Sequence, residues 1–247
     1  MLRQLWNAGL VPLALMLALV PSSASAELDT ASWSALLGNA VNQGFVDYGQ
    51  WIDNADFDAL VDQIAVTDAS KMTREEKLVF YINSYNILAA RGILNGSSPS
   101  SLLGRYVYFK RDKYQIAGDV ISLHELEHER IRPLNEPRIH FAIVCASVSC
   151  PILQSQAYTV ERLNAQLDAA ATGFINDNER NRFYPERGEA ELSSIFKWFE
   201  EDFVDAAGSL QAYIATYVAR QDSASLLEQG DFEVDYLPYD WDLNGKL

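Results

Sequence analysis

The chain has 247 residues, with 19 Lys and Arg against 34 Asp and Glu and a formal charge of −15. That balance opposes non-specific binding to nucleic acid or to anionic lipid. The length fits one domain with a substantial core, and no internal repeat or low-complexity tract divides it.

Arg3 precedes a nearly unbroken apolar run from Leu10 to Val20, which ends at Pro21 and is followed by Ala24-Ser25-Ala26. A charged start, a short apolar stretch and an A-x-A site read as a cleavable secretory signal over residues 1–26. The run is short for a transmembrane helix, and no cysteine near the cut supports a lipid anchor. One domain over residues 27–247 then remains, beginning at Glu27 and carrying 18 basic and 34 acidic side chains. The expected location is periplasmic or secreted, with no transmembrane segment left after cleavage and an envelope substrate or ligand as the partner.

Residues 31–42 and 55–66 have amphipathic helical patterning, separated by Gly44 and the aromatic connector Phe45 to Trp51. Thr73-Arg74-Glu75-Glu76 is a capping box opening a helix to about Leu94, closed by Asn95-Gly96. That helix is apolar nearly all round and is therefore expected to be central. Tyr106 to Phe109 and Tyr114 to Ala117 predict two short strands. Ser122-Leu123-His124-Glu125 is a second capping box, starting a helix that Pro133 stops. Arg138 to Cys145 is apolar and β-branched, which predicts a buried strand. Further helices are expected over 160–177, with Thr159 at the cap, over Ile195 to Phe203 and over Ser209 to Arg220. Phe232 to Leu237 alternates as a last strand. The fold class is α+β, a mainly helical single domain around a small sheet.

Four clusters are candidates for chemistry. In the helix after Ser122, Leu123, Leu126 and Ile131 mark the buried stripe, and Glu127 falls inside it with His124 and His128 on its border. A carboxylate turned inward needs a partner. It is either a structural group satisfied by Arg132 or a backbone amide, or a functional acid. His124-Glu125-Leu126-Glu127-His128 also spells the H-E-x-x-H zinc motif. Its context is poor, since Pro133 soon breaks the helix and the metzincin third position is Leu134. His140 is the remaining third candidate, and chance occurrence is the better reading. No cofactor signature is present.

Cys145 ends the predicted strand in the turn Cys145-Ala146-Ser147-Val148-Ser149-Cys150-Pro151, where converging amides suit an oxyanion. In an oxidising compartment a Cys145–Cys150 disulfide is the competing and favoured reading. Strand parity sets His140 on the opposite face from Cys145, leaving His128 or His124 as its base. Asn83 and Asn86, one turn apart in an apolar stretch, must hydrogen-bond and are expected to clamp a neighbouring loop.

Phe80-Tyr81-Ile82-Asn83-Ser84-Tyr85-Asn86 resembles the W-I-N-x-Y-N signature of the domain-of-unknown-function 547 family. Leu126 to Pro133 resembles its I-E-H-x-x-L-R segment, and Arg138 to Pro151 its R-x-H-F-A-L-x-C-x-S-x-S-C-P core. Ile195-Phe196-Lys197-Trp198-Phe199 and Tyr239-Asp240-Trp241-Asp242-Leu243-Asn244 are similar to its later motifs. The resemblance implies a Cys145 position kept where the Cys150 position varies, and a Glu127-His128 pair that belongs to the motif while His124 does not. A distant, permuted papain- or transglutaminase-like arrangement is an analogy of fold only.

These readings converge on a cysteine-dependent hydrolase or acyltransferase of the cell envelope. Cys145 is the expected nucleophile, His128 its base, and Glu127 or Asp240 the orienting acid. Amides around Ala146 and Ser147 would supply the oxyanion hole, supported by Asn83 and Asn86. The alternatives are a disulfide-stapled binding module and, third, a zinc-dependent hydrolase using His124 and His128.

Overall fold

A computed structural model describes residues 28–230 and 232–247. The expected secretory signal, residues 1–26 with Arg3 and Ala24-Ser25-Ala26, lies outside them, as does Glu27. Among the described residues no helix is long and apolar enough to cross a membrane.

Caps set the first three helices. Asp29 accepts from the Ala31 and Ser32 amides at the start of α1 (Thr30–Ala40). Asn54 does the same for α2 (Ala55–Val66). The Thr73/Glu76 capping box opens α3 (Arg74–Leu94), which is buried on nearly every side from Leu78 to Ile93. Caps of this kind each contribute about 1 kcal/mol. Gly92 lets α3 take the Tyr108 ring at close range, because a Cβ there would lie 2.9 Å from that ring.

Two short strands, β1 (Val41–Asn42) and β2 (Phe45–Asp47), follow α1, and β2 pairs in parallel with the chain's last strand, β8 (Gly245–Lys246). A hairpin of β3 (Tyr114–Ile116) and β4 (Asp119–Ile121) packs beside α2. The third sheet joins β5 (Arg182–Tyr184), β6 (Glu189–Ser193) and β7 (Glu233–Leu237), with β6 and β7 parallel. The fold is α+β; in place of the one small sheet expected, the described residues form three, each built on a local antiparallel pair, two of them extended by a distant parallel strand.

The remaining helices are α4 (Leu102–Tyr106), α5 (Leu123–Glu125), α6 (Leu163–Ile175), α7 (Ser194–Trp198), α8 (Glu200–Ala207), α9 (Leu210–Ala215) and α10 (Gln221–Gln229). The expected helix over Ile195 to Phe203 breaks at Phe199, and the one expected over Ser209 to Arg220 ends at Ala215.

Two predicted strands do not form. Tyr106 to Phe109 closes α4 and enters a π-helical turn, Val107–Arg111, whose end is bonded from the Asp112 amide to the Val107 carbonyl. The Ser101 hydroxyl caps α4, and the Tyr108 hydroxyl donates to the Ala89 carbonyl, so the aromatic run serves helix packing rather than a ladder. Arg138 to Cys145 begins as a 3-10 turn, Pro137–Phe141, with the Glu136 carboxylate accepting from the Arg138 amide. Its following backbone finds a side chain instead of a strand: Asn86 donates to the Ala142 carbonyl at 3.0 Å and accepts from the Val144 amide at 2.8 Å. Those two bonds satisfy the backbone groups that a sheet would otherwise have paired.

The same segment is the seam between two apolar cores. Ile139, Ala142, Ile143 and Val144 pack into the core built on α1 to α3, whereas Phe141 packs among Phe174, Phe196 and Phe203 of the other. His140 is therefore fixed where the two cores meet.

Candidate functional site

A cavity of about 400 Å³ opens at this seam, lined by the buried Tyr85, His140, Ile143 and Cys150, by the exposed Tyr106, Lys110 and Trp198, and by the partly buried Glu127, Cys145, Arg105, Phe109, His124, Phe199, Tyr239 and Trp241. That size and mixture, mostly aromatic walls with a few convergent polar groups, suits a small-molecule site. Two π-helical turns contribute to its walls. Val107–Arg111 carries Phe109 and Lys110, and Leu126–Ile131 carries Glu127, its last bond running from the Arg132 amide to the Glu127 carbonyl. Turns of this type recur at functional sites.

The Ser122/Glu125 capping box forms as expected. Leu123, Leu126 and Ile131 are buried, and Glu127 is turned inward with them, its side chain 12% exposed. Burial pushes the Glu127 carboxyl up to about 7, against the pull of Arg132 and with a push from Asp202. Neither expected structural partner is its hydrogen-bond partner. Arg132 instead grips Asp202 with two bonds, Nε at 2.8 Å and a terminal nitrogen at 2.7 Å, and its other terminal nitrogen lies 2.8 Å from His128 Nδ1.

His128 and His140 thus sit at opposite ends of one Arg132–Asp202 pair. Arginine only donates, so His128 Nδ1 accepts, and the ring's proton is on Nε2. Burial, reinforced by His124, Arg132 and His140, lowers His128 to about 4. At the other end, His140 Nε2 lies 2.7 Å from Asp202 Oδ2. Burial works against ionisation of Asp202, but hydrogen bonds from Arg132 and His140 outweigh it and hold the carboxyl well below the usual range. An ionised Asp202 only accepts, so His140 Nε2 donates and Nδ1 carries the lone pair. That Nδ1 is buried without a hydrogen-bond partner, 3.9 Å from Glu127 Oε1. Burial lowers His140 despite Asp202, and the ring lies flat on Phe199 at 3.9 Å.

The structure places His128, the expected base, and His140 differently with respect to Cys145. His128 is occupied by Arg132 and is not part of the cavity wall, whereas His140 lines the cavity with Cys145. The parity argument excluded His140 because it assumed a strand; a 3-10 turn over 137–141 turns successive side chains by about 120° instead of 180°. Asp240, the alternative orienting acid, is exposed, and its carboxylate accepts from the Asp242 amide. The carboxylate bonded to His140 is Asp202, in an acidic run of α8 (Glu200-Glu201-Asp202) that nothing in the sequence distinguishes.

Cys145 and Cys150 are joined as a disulfide, with their Cα atoms 6.1 Å apart, and Cys145 Sγ lies 3.3 Å from the Tyr239 hydroxyl. The turn between them is held from two sides. The amides of Val148 and Ser149 donate to the carbonyls of Asp242 and Asp240, and the Asn244 amide donates to the Ala146 carbonyl. Arg180 donates to the carbonyls of Cys150 and Val148. Ala146 stands at φ 61°, a left-handed conformation that costs a residue with a Cβ about 1 kcal/mol. Among the described residues the Ala146 and Ser147 amides make no hydrogen bond within the chain. The chain's last strand anchors this clamp: a Cβ on Gly245 would fall 1.9 Å from the Val46 carbonyl oxygen, so only glycine closes that pairing.

Asn83 and Asn86 are both clamps. Asn83 donates to the Val79 and Tyr158 carbonyls and accepts from the Tyr158 amide, and Asn86 fixes the backbone that leads into Cys145. His124 and His128 lie with ring centroids 4.2 Å apart, and among the described residues no three His, Cys, Asp or Glu side chains form a metal-binding cluster.

Residues 69–175 match the family model described as protein of unknown function, DUF547. The match includes Asn83, Asn86, Glu127, His140, Cys145 and Cys150, and stops short of Asp202 and Tyr239. No curated protein and no solved structure matches the chain.

Proposed function

We propose, for a chain that residues 69–175 assign to the DUF547 family, that this cavity is the site of a thiol-dependent acyl hydrolase or acyltransferase of the cell envelope. The observation that carries the reading is the His140 ring: one nitrogen is tied to Asp202, and the other is buried, unpartnered and shares a cavity with Cys145. A base whose far nitrogen is fixed by a carboxylate is the arrangement a thiol or hydroxyl nucleophile needs.

A dithiol reductant first exchanges with the Cys145–Cys150 disulfide, leaving two thiols here and one disulfide on the reductant. His140 Nδ1 then takes the Cys145 proton. The thiolate attacks the acyl carbonyl carbon, forming a C–S bond, and the carbonyl electron pair moves to oxygen. The protonated Glu127 carboxyl, which lines the same cavity, is the donor for that oxyanion, whereas Ser147, expected as a second donor, lines a neighbouring pocket with Val148 and Arg180. When the carbonyl re-forms, the bond to the leaving group breaks, and the imidazolium returns its proton to that group. Water, or an acceptor alcohol or amine, discharges the thioester by the reverse sequence.

The intact disulfide favours a second reading, a stapled binding module in which the Cys145–Cys150 link only shapes the cavity floor. Mass spectrometry separates the two. Reduced protein given a 4-nitrophenyl acyl ester should release nitrophenol and carry the acyl mass on the Cys145 peptide. Reduced, folded protein that neither turns over nor acquires that mass would leave the binding module.

A further inference from the structure

The more exposed lining of the cavity differs in chemistry from its buried lining. Its walls are aromatic: Trp198 and Trp241 stack with centroids 5.6 Å apart, and Phe109 meets Trp241 edge-on at 6.2 Å. Arg105 and Lys110 are the cations of the lining, and neither is paired with a carboxylate among the described residues. They are five positions apart, and α4 running into the π-helical turn brings both to the lining. Arg105 is held over the Trp241 ring at 4.7 Å, while Lys110 is exposed. Glu127, the one carboxylate of the lining, has a side chain only 12% exposed, and burial favours its neutral form.

This polarity is unexpected in a chain of charge −15, whose overall field repels anions. A site for a cation would carry carboxylates at its mouth, and a site for a neutral apolar ligand would leave the cations without a purpose. The cavity of about 400 Å³ is too small for a folded partner and fits one chain or ring system with a head group.

We infer that the cavity takes a single-chain anionic amphiphile, its apolar part between Trp198, Trp241 and Phe109 and its carboxylate or phosphate group at Arg105 and Lys110. The inference rests on reading this cavity as the working site and names the substrate class: acyl compounds whose anionic group is separated from the reacting carbonyl by an apolar stretch. A half-buried arginine over an aromatic ring, with an exposed lysine beside it, attracts such a head group, and the surrounding negative field restricts that attraction to the mouth.

The test uses the oxidised protein, whose disulfide prevents thiol chemistry, and reads tryptophan emission during titration. Decanoate and decyl phosphate are the anionic probes, decanol the neutral one and decyltrimethylammonium the cationic one, all below micelle formation. At least one anion should bind roughly tenfold more tightly than decanol or the cation. Lys110→Glu, at an exposed position that does not threaten folding, should weaken that anion several-fold and leave decanol unchanged. The ratio between decanoate and decyl phosphate distinguishes a carboxylate from a phosphate head group. Equal binding of cation and anion, indifference to Lys110→Glu, or no saturable binding overturns the inference. Anion-selective binding without acylation of reduced protein would sink the catalytic reading alone, and acylation without charge preference would sink this one alone.

Discussion

His128 and His140 touch the same ion pair and leave it in opposite states. His128 meets the arginine end, so its Nδ1 lone pair is spent on a guanidinium N–H. His140 meets the carboxylate end, so its Nε2 proton is spent and its Nδ1 lone pair is left without a hydrogen-bond partner. Which member of an ion pair an imidazole contacts therefore decides whether it serves as a base. Proximity to a cysteine in sequence or motif does not.

The largest expected effect breaks that comparison directly. His140→Ala should lower kcat/KM for an acyl ester by roughly 10²–10⁴, whereas His128→Ala should change it less than about threefold. Comparable losses in both variants would return the base to the helix after Ser122.

Asp202→Asn sharpens the same point. An asparagine amide can donate to His140 Nε2, which would move the ring proton to Nδ1 and remove the base from the cavity. A loss of about 10²–10⁴ is expected on the precedent of triad carboxylates, with folding retained by circular dichroism. Retained activity would mean that Asp202 serves only Arg132.

Asn86→Ala removes two buried bonds and leaves the Ala142 carbonyl and Val144 amide unpaired. Urea unfolding should show a loss of about 2–4 kcal/mol. A change below about 0.5 kcal/mol would show that the Cys145 approach is held by other contacts.

Glu127 gives a smaller effect with a defined sign. Its carboxyl is raised to about 7 in the fold and ionises near 4.3 when unfolded. Above the unfolded value the unfolded chain has released a proton that the folded chain retains, so stability is full below it and falls as pH rises toward 7. The loss is about 3–4 kcal/mol at most. Glu127→Gln should therefore gain Tm relative to the parent from pH 4.5 to pH 7. His128 acts oppositely: lowered to about 4, it costs stability as pH falls below its unfolded value near 6.5.

Legibility in the sequence followed local chemistry. The capping boxes at Thr73 and Ser122, the buried α3 and the inward turn of Glu127 are fixed by spacing within a few residues. The segment 137–145 was opaque because its apolar, β-branched composition fits a strand, and what makes it otherwise is Asn86, a remote side chain that takes over its backbone bonds. His140 was lost with it. Asp202 had no signal at all, since its role depends on the helix break at Phe199 and on Arg132, and both act through tertiary contact.

The central claim is that His140, and not His128, activates Cys145. Reduced protein, His140→Ala and His128→Ala should be alkylated with iodoacetamide across pH 5–9, with the rate at Cys145 read by mass spectrometry. A paired thiol reacts near neutral pH well below the ordinary thiol range. The account predicts that His140→Ala shifts the rate profile upward in pH by at least about one unit while His128→Ala leaves it in place. A shift caused by His128→Ala alone, or an ordinary thiol profile in the parent, would contradict it.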